Sequence, residues 1–126
     1  MMAKYSSKVM EHFFNPRNTG ELENPSGEGY SGNPSERNYM RFTIRVEGGR
    51  IAEVRFQSYT CLVAVAACSF LTEMVKGKTL EEAESISPAV LASKLGEVPL
   101  ERFDRCTLAV EALSNAITDY RQGESR

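Results

Sequence analysis

The 126-residue sequence lacks the features that mark several common functional classes. It contains one histidine and no evident base beside a serine, so a hydrolytic triad is not indicated. It carries neither a Walker A motif nor a glycine-rich dinucleotide fingerprint. The formal net charge is −2, so no strong field attracts nucleic acid or an anionic lipid surface. We therefore expect neither nucleic acid nor a membrane among its partners.

Cysteine is scarce, with three residues in the chain, and the N-terminus shows no apolar signal region. An odd number of cysteines without a signal favours a reducing cytoplasm over a secreted disulfide framework. The longest apolar run, residues 61–68, is too short to cross a bilayer. We expect one cytoplasmic domain over residues 1–126, with residues 1–4 and 122–126 frayed.

Two runs of alternating apolar and polar residues, 39–46 and 51–59, flank a turn at Gly48 and Gly49. This pattern predicts an antiparallel hairpin, whose apolar face must pack on helices because a free hairpin is marginal. In the second run, the face predicted to be apolar carries Ala52, Val54, Phe56 and Ser58. Residues 20–34 hold four glycines and two prolines, which indicates a long exposed loop. A third strand at residues 26–31 is an open alternative that the pattern does not settle.

Helical spacing predicts five helices, and most have recognisable ends. Thr79 and Glu82 form a capping-box pattern, Ser87 and Pro88 open the next helix, and glycines stop two of them. The predicted helices cover residues 5–14, 62–76, 80–85, 88 to the stop at Gly96, and 107–120. Strands followed by a run of helices indicate an α+β domain.

Two cysteines each precede a predicted helix. Cys61 stands where the second strand ends and the 62–76 helix begins, and Cys106 precedes the 107–120 helix. A thiol in this position faces unpaired backbone N–H groups and the positive end of the helix dipole, which favours thiolate. Thiolate binds metal or carries sulfur. We predict that these two cysteines share one site, so they must lie close together in the fold. Two thiolates alone do not complete such a site, and it needs further ligands.

Four segments carry a resemblance to a known family. They read HFFNPRNTG at residues 12–20, FQSYTC at 56–61, VKGKTLEEA at 75–83 and CTLAVEAL at 106–113. In this order they resemble the IscU/NifU N-terminal family of iron–sulfur cluster assembly scaffolds, over about residues 5–121. The resemblance implies an IscU/NifU-like single α+β domain: a small antiparallel sheet of about three strands with helices packed on one face. It also implies a scaffold, not an enzyme, that receives sulfur from a cysteine desulfurase.

The resemblance assigns two of the three cluster-holding cysteines, to Cys61 and Cys106, and then departs from the family. Where members read Gly-x-Pro-x-Cys-Gly-Asp, residues 32–38 read GNPSERN. This places Glu36 at the first cysteine and Asn38 at the aspartate. Arg105 stands where a histidine often precedes the third cysteine. The chaperone-binding stretch before that cysteine is also poorly matched, so chaperone binding is not expected.

The altered ligand set leaves several functions open. A carboxylate at Glu36 is a harder ligand than thiolate and suits a single divalent ion better than a sulfide-rich cluster. Glu36, Cys61 and Cys106 could bind zinc or iron with water in an open position, and should hold a [2Fe–2S] cluster weakly. The charge of Arg105 would instead favour thiolate at Cys106 and the handling of persulfide. A second copy of the chain, or another scaffold subunit, could supply the missing thiolate.

The expected function is iron–sulfur cluster assembly, as a divergent scaffold or as an acceptor of sulfur or iron. One alternative is a pseudo-scaffold that acts as a protein-interaction module, by docking on a desulfurase or on a true scaffold. The other is a zinc- or iron-binding protein with a Glu/Cys/Cys site.

Each candidate residue also has a structural interpretation. Cys68 lies two turns beyond Cys61, ~10 Å along a helix, and is predicted to be a core residue. Cys61 and Cys106 could be buried structural thiols. His12 is either a ligand or the group that fastens the first helix to the turn at residues 15–17. Glu36 could simply point into water.

Overall fold

The computed structural model describes residues 5–36, 39–58 and 61–124. Three strands and five α-helices make up most of this part of the chain. In chain order they are α1 Ser7–Phe14, β1 Gly27–Ser31, β2 Met40–Glu47, β3 Arg50–Ser58, α2 Leu62–Val75, α3 Leu80–Glu84, α4 Pro88–Leu95 and α5 Phe103–Glu124. Short 3₁₀ turns at Pro34–Glu36 and Leu100–Arg102 lie between them. The α+β class and the three-stranded sheet are confirmed.

The sheet is antiparallel, with the strand order β1-β2-β3. The predicted hairpin is present, but a bulge interrupts its register: Ile44 pairs with Val54, and Val46 pairs with Ile51. One residue of β3 therefore has no partner, and the alternation shifts there by one position. Ile51 is buried in place of Ala52, so the predicted face is right at Val54 and Phe56 and wrong at Ala52.

Residues 27–31, which the glycine content assigns to a loop, form β1. The loop prediction is wrong over these residues, and the open alternative of a third strand is right. Two of the glycines serve close packing instead of a loop, because a Cβ atom at Gly29 would overlap backbone atoms of Ala112 and Ala116 in α5. Asn115 and Asp119 of α5 also bond to the outer edge of β1, at the Tyr30 carbonyl (2.8 Å) and the Glu28 N–H (3.0 Å).

Substitution of Gly29 by alanine should therefore destabilise the fold by about 2–4 kcal/mol, since neither backbone can yield without moving the sheet or the helix. The matched control is Gly123→Ala, because a Cβ atom at Gly123 meets nothing within 4 Å. Urea unfolding of both variants measures the difference. Equal midpoints for Gly29→Ala and the wild type would show that β1 and α5 are not in close contact.

The helices cover one face of the sheet, as predicted. α5 packs on β1 and β2, and α2 packs on β3. The core-facing side chains Met40, Phe42 and Ile44 of β2 are fully buried. The opposite face is charged: Arg41 forms ion pairs with Glu21 (2.6 Å) and Glu28 (2.5 Å) there. Within the described residues, no helix combines the length and the apolarity needed to cross a membrane.

The helix ends test the capping predictions. Thr79 and Glu82 form the expected capping box, Ser87 caps α4, and Gly96 follows its last residue. The last helix is longer than predicted: α5 begins at Phe103 and continues to Glu124. Fraying from residue 122 is therefore not seen in the described part of the chain, and the frayed ends predicted at residues 1–4 and 125–126 lie outside it.

Candidate functional site

One end of the sheet gathers the predicted site residues. Ser31, Met40 and Ser58 lie side by side across the three strands at this end. Cys61 caps α2 three residues after Ser58. The Ser31 hydroxyl donates a hydrogen bond to the Leu108 carbonyl at 2.6 Å, two residues beyond Cys106. The β1–β2 connection, which contains Glu36, starts from the same end. The topology thus brings the three segments to one end of the molecule.

Cys61 is the N-cap residue of α2, as predicted. Its backbone is extended (φ −82°, ψ 172°), its carbonyl accepts the first helical hydrogen bond from the Val65 N–H at 3.1 Å, and its side chain makes no capping bond. The residue is partly buried against the core. A partly exposed thiol beside the first-turn amides of a helix is in the environment that favours a reactive thiolate.

Cys106 differs from the prediction. Because α5 begins at Phe103, Cys106 lies within its first turn and is fully buried, and does not stand before the helix. Burial, reinforced by Asp104, raises the pKa of the Cys106 thiol to about 11. Arg105 does not offset this, because its guanidinium pairs with Asp104 at 2.5 Å. The structure therefore does not favour the expected thiolate at Cys106.

Cys68 is a core residue, as predicted. It is fully buried in α2, and its sulfur lies 3.5 Å from the Met40 sulfur. Burial raises its pKa, and the nearby Cys106 raises it further. Cys68 and Cys106 are thus neighbours beneath the end of the sheet, and both are inert as thiols in this conformation.

Glu36 ends the 3₁₀ turn Pro34–Glu36 and is exposed. The Asn33 side-chain amide donates a hydrogen bond to its carboxylate at 2.9 Å. Within residues 5–36, 39–58 and 61–124, no group of three His, Cys, Asp or Glu side chains is placed to hold a metal ion. The set of Glu36, Cys61 and Cys106 therefore stays a prediction, since it requires movement of Glu36 and exposure of Cys106. Asn38 lies outside the described residues.

His12 fastens α1 to its neighbours, which favours the structural interpretation of this residue. Its Nδ1 lies 2.7 Å from the Ser69 hydroxyl of α2, and the Arg17 N–H donates to the same oxygen at 2.9 Å. The other ring nitrogen faces Glu73 at 3.4 Å. The sequence indicated the turn at residues 15–17 but not Ser69 or Glu73.

This environment makes stability depend on pH. Burial, followed by Arg17 and Lys8, lowers the pKa of His12, while Glu73 and Glu11 oppose the shift. An unfolded histidine titrates near ~6.5, so below that pH the unfolded chain takes up a proton that the folded one resists. The contribution of neutral His12 to the free energy of unfolding is complete above the unfolded pKa. It is lost as the pH falls through the pKa of His12 in the folded protein. We expect a lower free energy of unfolding at pH 5.5 than at 7.5, and a smaller difference for His12→Gln. An unchanged pH dependence in that variant would contradict this role.

A cleft of about 330 Å³ lies between the end of β3 and the start of α2. Its walls are the loop residues Pro16, Thr19 and Gly20, residues 56–58 of β3, and Val65 of α2. Cys61 is not one of the lining residues, but its carbonyl accepts the hydrogen bond of the Val65 N–H, so it lies one turn before this wall. No pattern in the sequence indicated this cleft, although its wall includes part of the FQSYTC segment. Only the proximity of that segment to Cys61 could have pointed to it.

The comparisons with known proteins agree with this fold. The profile of the NifU-like N terminal domain matches residues 4–126. The chain is 44% identical over 116 residues to "Iron-sulfur cluster assembly scaffold protein IscU 1" of Archaeoglobus fulgidus, covering 92% of this chain and 76% of that protein. It is 41% identical over 128 residues to "Iron-sulfur cluster assembly scaffold protein IscU" of Aquifex aeolicus, covering 100% of this chain and 82% of that one.

A solved structure shows the same architecture. It is described as a putative iron-sulfur cluster assembly scaffold protein for the SUF system from Fervidobacterium islandicum. The TM-score is 0.74 at 22% identity, over 90% of this chain and 96% of that one, which supports the fold alone. With a profile match over almost the whole chain, this protein belongs to the NifU-like N-terminal domain family.

Proposed function

We propose that this protein takes part in iron–sulfur cluster assembly, as a divergent scaffold that accepts sulfur at Cys61 from a cysteine desulfurase. The observation that carries the proposal is the position of Cys61, a partly exposed thiol at the start of α2, in a chain 41–44% identical to proteins named as assembly scaffolds. The other two cysteines are fully buried. Sulfur therefore enters at one position, by transfer from a partner and without catalytic turnover by this chain.

Iron binding is the second part of this proposal. Glu36, Cys61 and Cys106 remain the proposed ligands, and iron is a substrate of the assembly reaction. Because a carboxylate replaces one thiolate, iron or a nascent cluster would be held weakly and passed on. A thiolate from a second copy or another scaffold subunit would raise the affinity of the site for iron or a cluster. We place the reaction in the cytoplasm, where thiols stay reduced.

Anaerobic incubation with ferrous iron, L-cysteine and a cysteine desulfurase tests the function. We expect protein-bound sulfane sulfur, together with a visible absorption that fades when a chelator is added. Failure to take up sulfur, with retained binding to the desulfurase, would instead support a pseudo-scaffold that acts as an interaction module. Zinc or iron present in the purified protein, and lost in Glu36→Ala, would support the metal-binding alternative. The names of the relatives favour neither of these alternatives.

A further inference from the structure

The outer edge of β3 is paired only in part. Both backbone groups of Phe56 are hydrogen-bonded on this edge. Its N–H donates to the Asn18 carbonyl, and its carbonyl accepts from the Gly20 N–H, both at 2.9 Å. Backbone groups alternate in direction along a strand, so the N–H and carbonyl of Ser58 point to the same edge. A parallel neighbour that continued past Gly20 would bond to Ser58.

The neighbouring segment leaves the edge at Gly20 instead. Gly20 has φ +99°, a conformation that favours glycine, and the chain turns there onto the outer face of the sheet. Leu22 then donates its N–H to the Thr43 hydroxyl at 3.1 Å. Within the described residues, no backbone hydrogen bond is made to Ser58 on this edge. Its side-chain oxygen is buried, and it has no hydrogen-bond partner in the described part of the chain.

These groups lie at the cleft between the end of β3 and the start of α2, three residues before Cys61. Ser58 lines the cleft together with Gly20 and Val65. The strand-edge N–H and carbonyl of Ser58 complement the carbonyl and N–H groups of an extended polypeptide, and the unpartnered hydroxyl lies beside them. Buried polar groups without partners are rare in folded proteins, and a bound group that supplies the missing partner is one of their explanations.

We propose that an extended segment of the sulfur-donor protein docks in this cleft as an added strand, pairs with Ser58, and presents its persulfide to Cys61. Strand addition supplies affinity through main-chain hydrogen bonds and fixes the register of the incoming segment. A fixed register would bring a donor sulfur to a partly buried thiol. This inference rests on the proposed function and names how the donor reaches the acceptor.

The transfer step balances without an added reductant. The Cys61 thiolate attacks the terminal, sulfane sulfur of the donor persulfide. The sulfur–sulfur bond of the donor breaks, a new one forms at Cys61, and the donor leaves as a thiolate. The proton of the donor persulfide stays with the transferred sulfur. Cys61 becomes a persulfide as the donor returns to a thiolate, so the two changes of oxidation level cancel and no external oxidant or reductant is needed.

Three substitutions test the docking. Ser58→Ala removes the unpartnered hydroxyl, and Ser58→Pro removes an N–H that no described residue accepts on this edge, so neither breaks a described hydrogen bond of the sheet. Thr19→Phe fills the cleft, and Val90→Phe on α4, 41% exposed, is the control for added bulk. Each variant is compared with the wild type in two rates at Cys61: sulfur transfer from a desulfurase charged with L-cysteine, and alkylation by iodoacetamide.

We expect Ser58→Pro and Thr19→Phe to slow sulfur transfer at least tenfold, Ser58→Ala to slow it by a smaller factor, and all three to alkylate within twofold of the wild type. Transfer at the wild-type rate in all three would overturn the docking and leave the proposed function standing. No transfer to the wild type would overturn both. If cysteine persulfide alone charged Cys61 as fast as the desulfurase, and the variants slowed it equally, the occupant would be a small persulfide and the docking of a protein segment would be refuted.

Discussion

Replacing Cys61 by serine should lower the rate of sulfur uptake from a cysteine desulfurase by at least about 100-fold, because thiolate is the nucleophile and serine offers none at neutral pH. Cys106 cannot take over this role, since burial raises its pKa to about 11 and closes access to its sulfur. Radioactive sulfur from labelled cysteine, counted on the protein after rapid denaturation without thiols, measures the loss.

The matched control is Cys68→Ala, which removes a fully buried thiol from the same helix. It should keep sulfur uptake close to the wild-type rate, although the lost contact with Met40 costs some stability. Uptake that survives in Cys61→Ser and disappears in Cys68→Ala would place the acceptor in the core, contrary to what we propose.

Restoring the family residues in the β1–β2 connection should convert weak cluster binding into stable binding. In Glu36→Cys with Asn38→Asp, the number of candidate cysteine ligands rises to three, with Cys61 and Cys106, and soft ligands hold a sulfide-rich cluster better than a carboxylate does. After anaerobic reconstitution and desalting, we expect at least tenfold more cluster in the double variant than in the wild type, read from the visible absorption and the iron and sulfide content.

Glu36→Gln with Asn38→Asp controls for this change, because it removes the charge of Glu36 without adding a thiol. It should bind no more cluster than the wild type. If the cysteine variant also remained colourless, the replaced residue would not be the cause of weak binding, and burial of Cys106 would become the main obstacle.

The fold was predictable where local patterns agree with the tertiary contacts. The hairpin, the capping box at Thr79 and the stop at Gly96 all follow from rules that act within a few residues. β1 was not settled, because Gly29 is there for its close approach to α5, a contact distant in sequence. The bulge near Ile51 was not predicted either, because an alternating pattern does not show where one strand carries an extra residue.

The candidate site, too, was predictable from the sequence only in part. A change from strand to helix pattern was enough to place Cys61 at the N-terminus of α2. Cys106 was misplaced because residues 103–106 give no strong helix signal, and the true start of α5 depends on packing against the sheet. The pairing of Arg105 with Asp104 could have been anticipated from their adjacency, and it offsets the positive charge that was expected to favour thiolate at Cys106.

The resulting site is asymmetric. One thiol is partly accessible at the start of a helix, while a second lies beneath the same end of the sheet, beside Cys68. Delivery of sulfur to the first can therefore precede exposure of the second. Cluster formation would then depend on a movement that uncovers Cys106 and brings Glu36, or a partner ligand, towards Cys61.

The most direct measurement is to locate the sulfur on the wild-type protein after one brief exposure to a cysteine desulfurase and L-cysteine. The protein is alkylated and digested, and mass spectrometry of the peptides shows which cysteine carries an extra sulfur atom. We predict that Cys61 carries it and that Cys68 and Cys106 do not. Sulfur found first on Cys106, or on none of the three, would contradict the entry of sulfur at the start of α2.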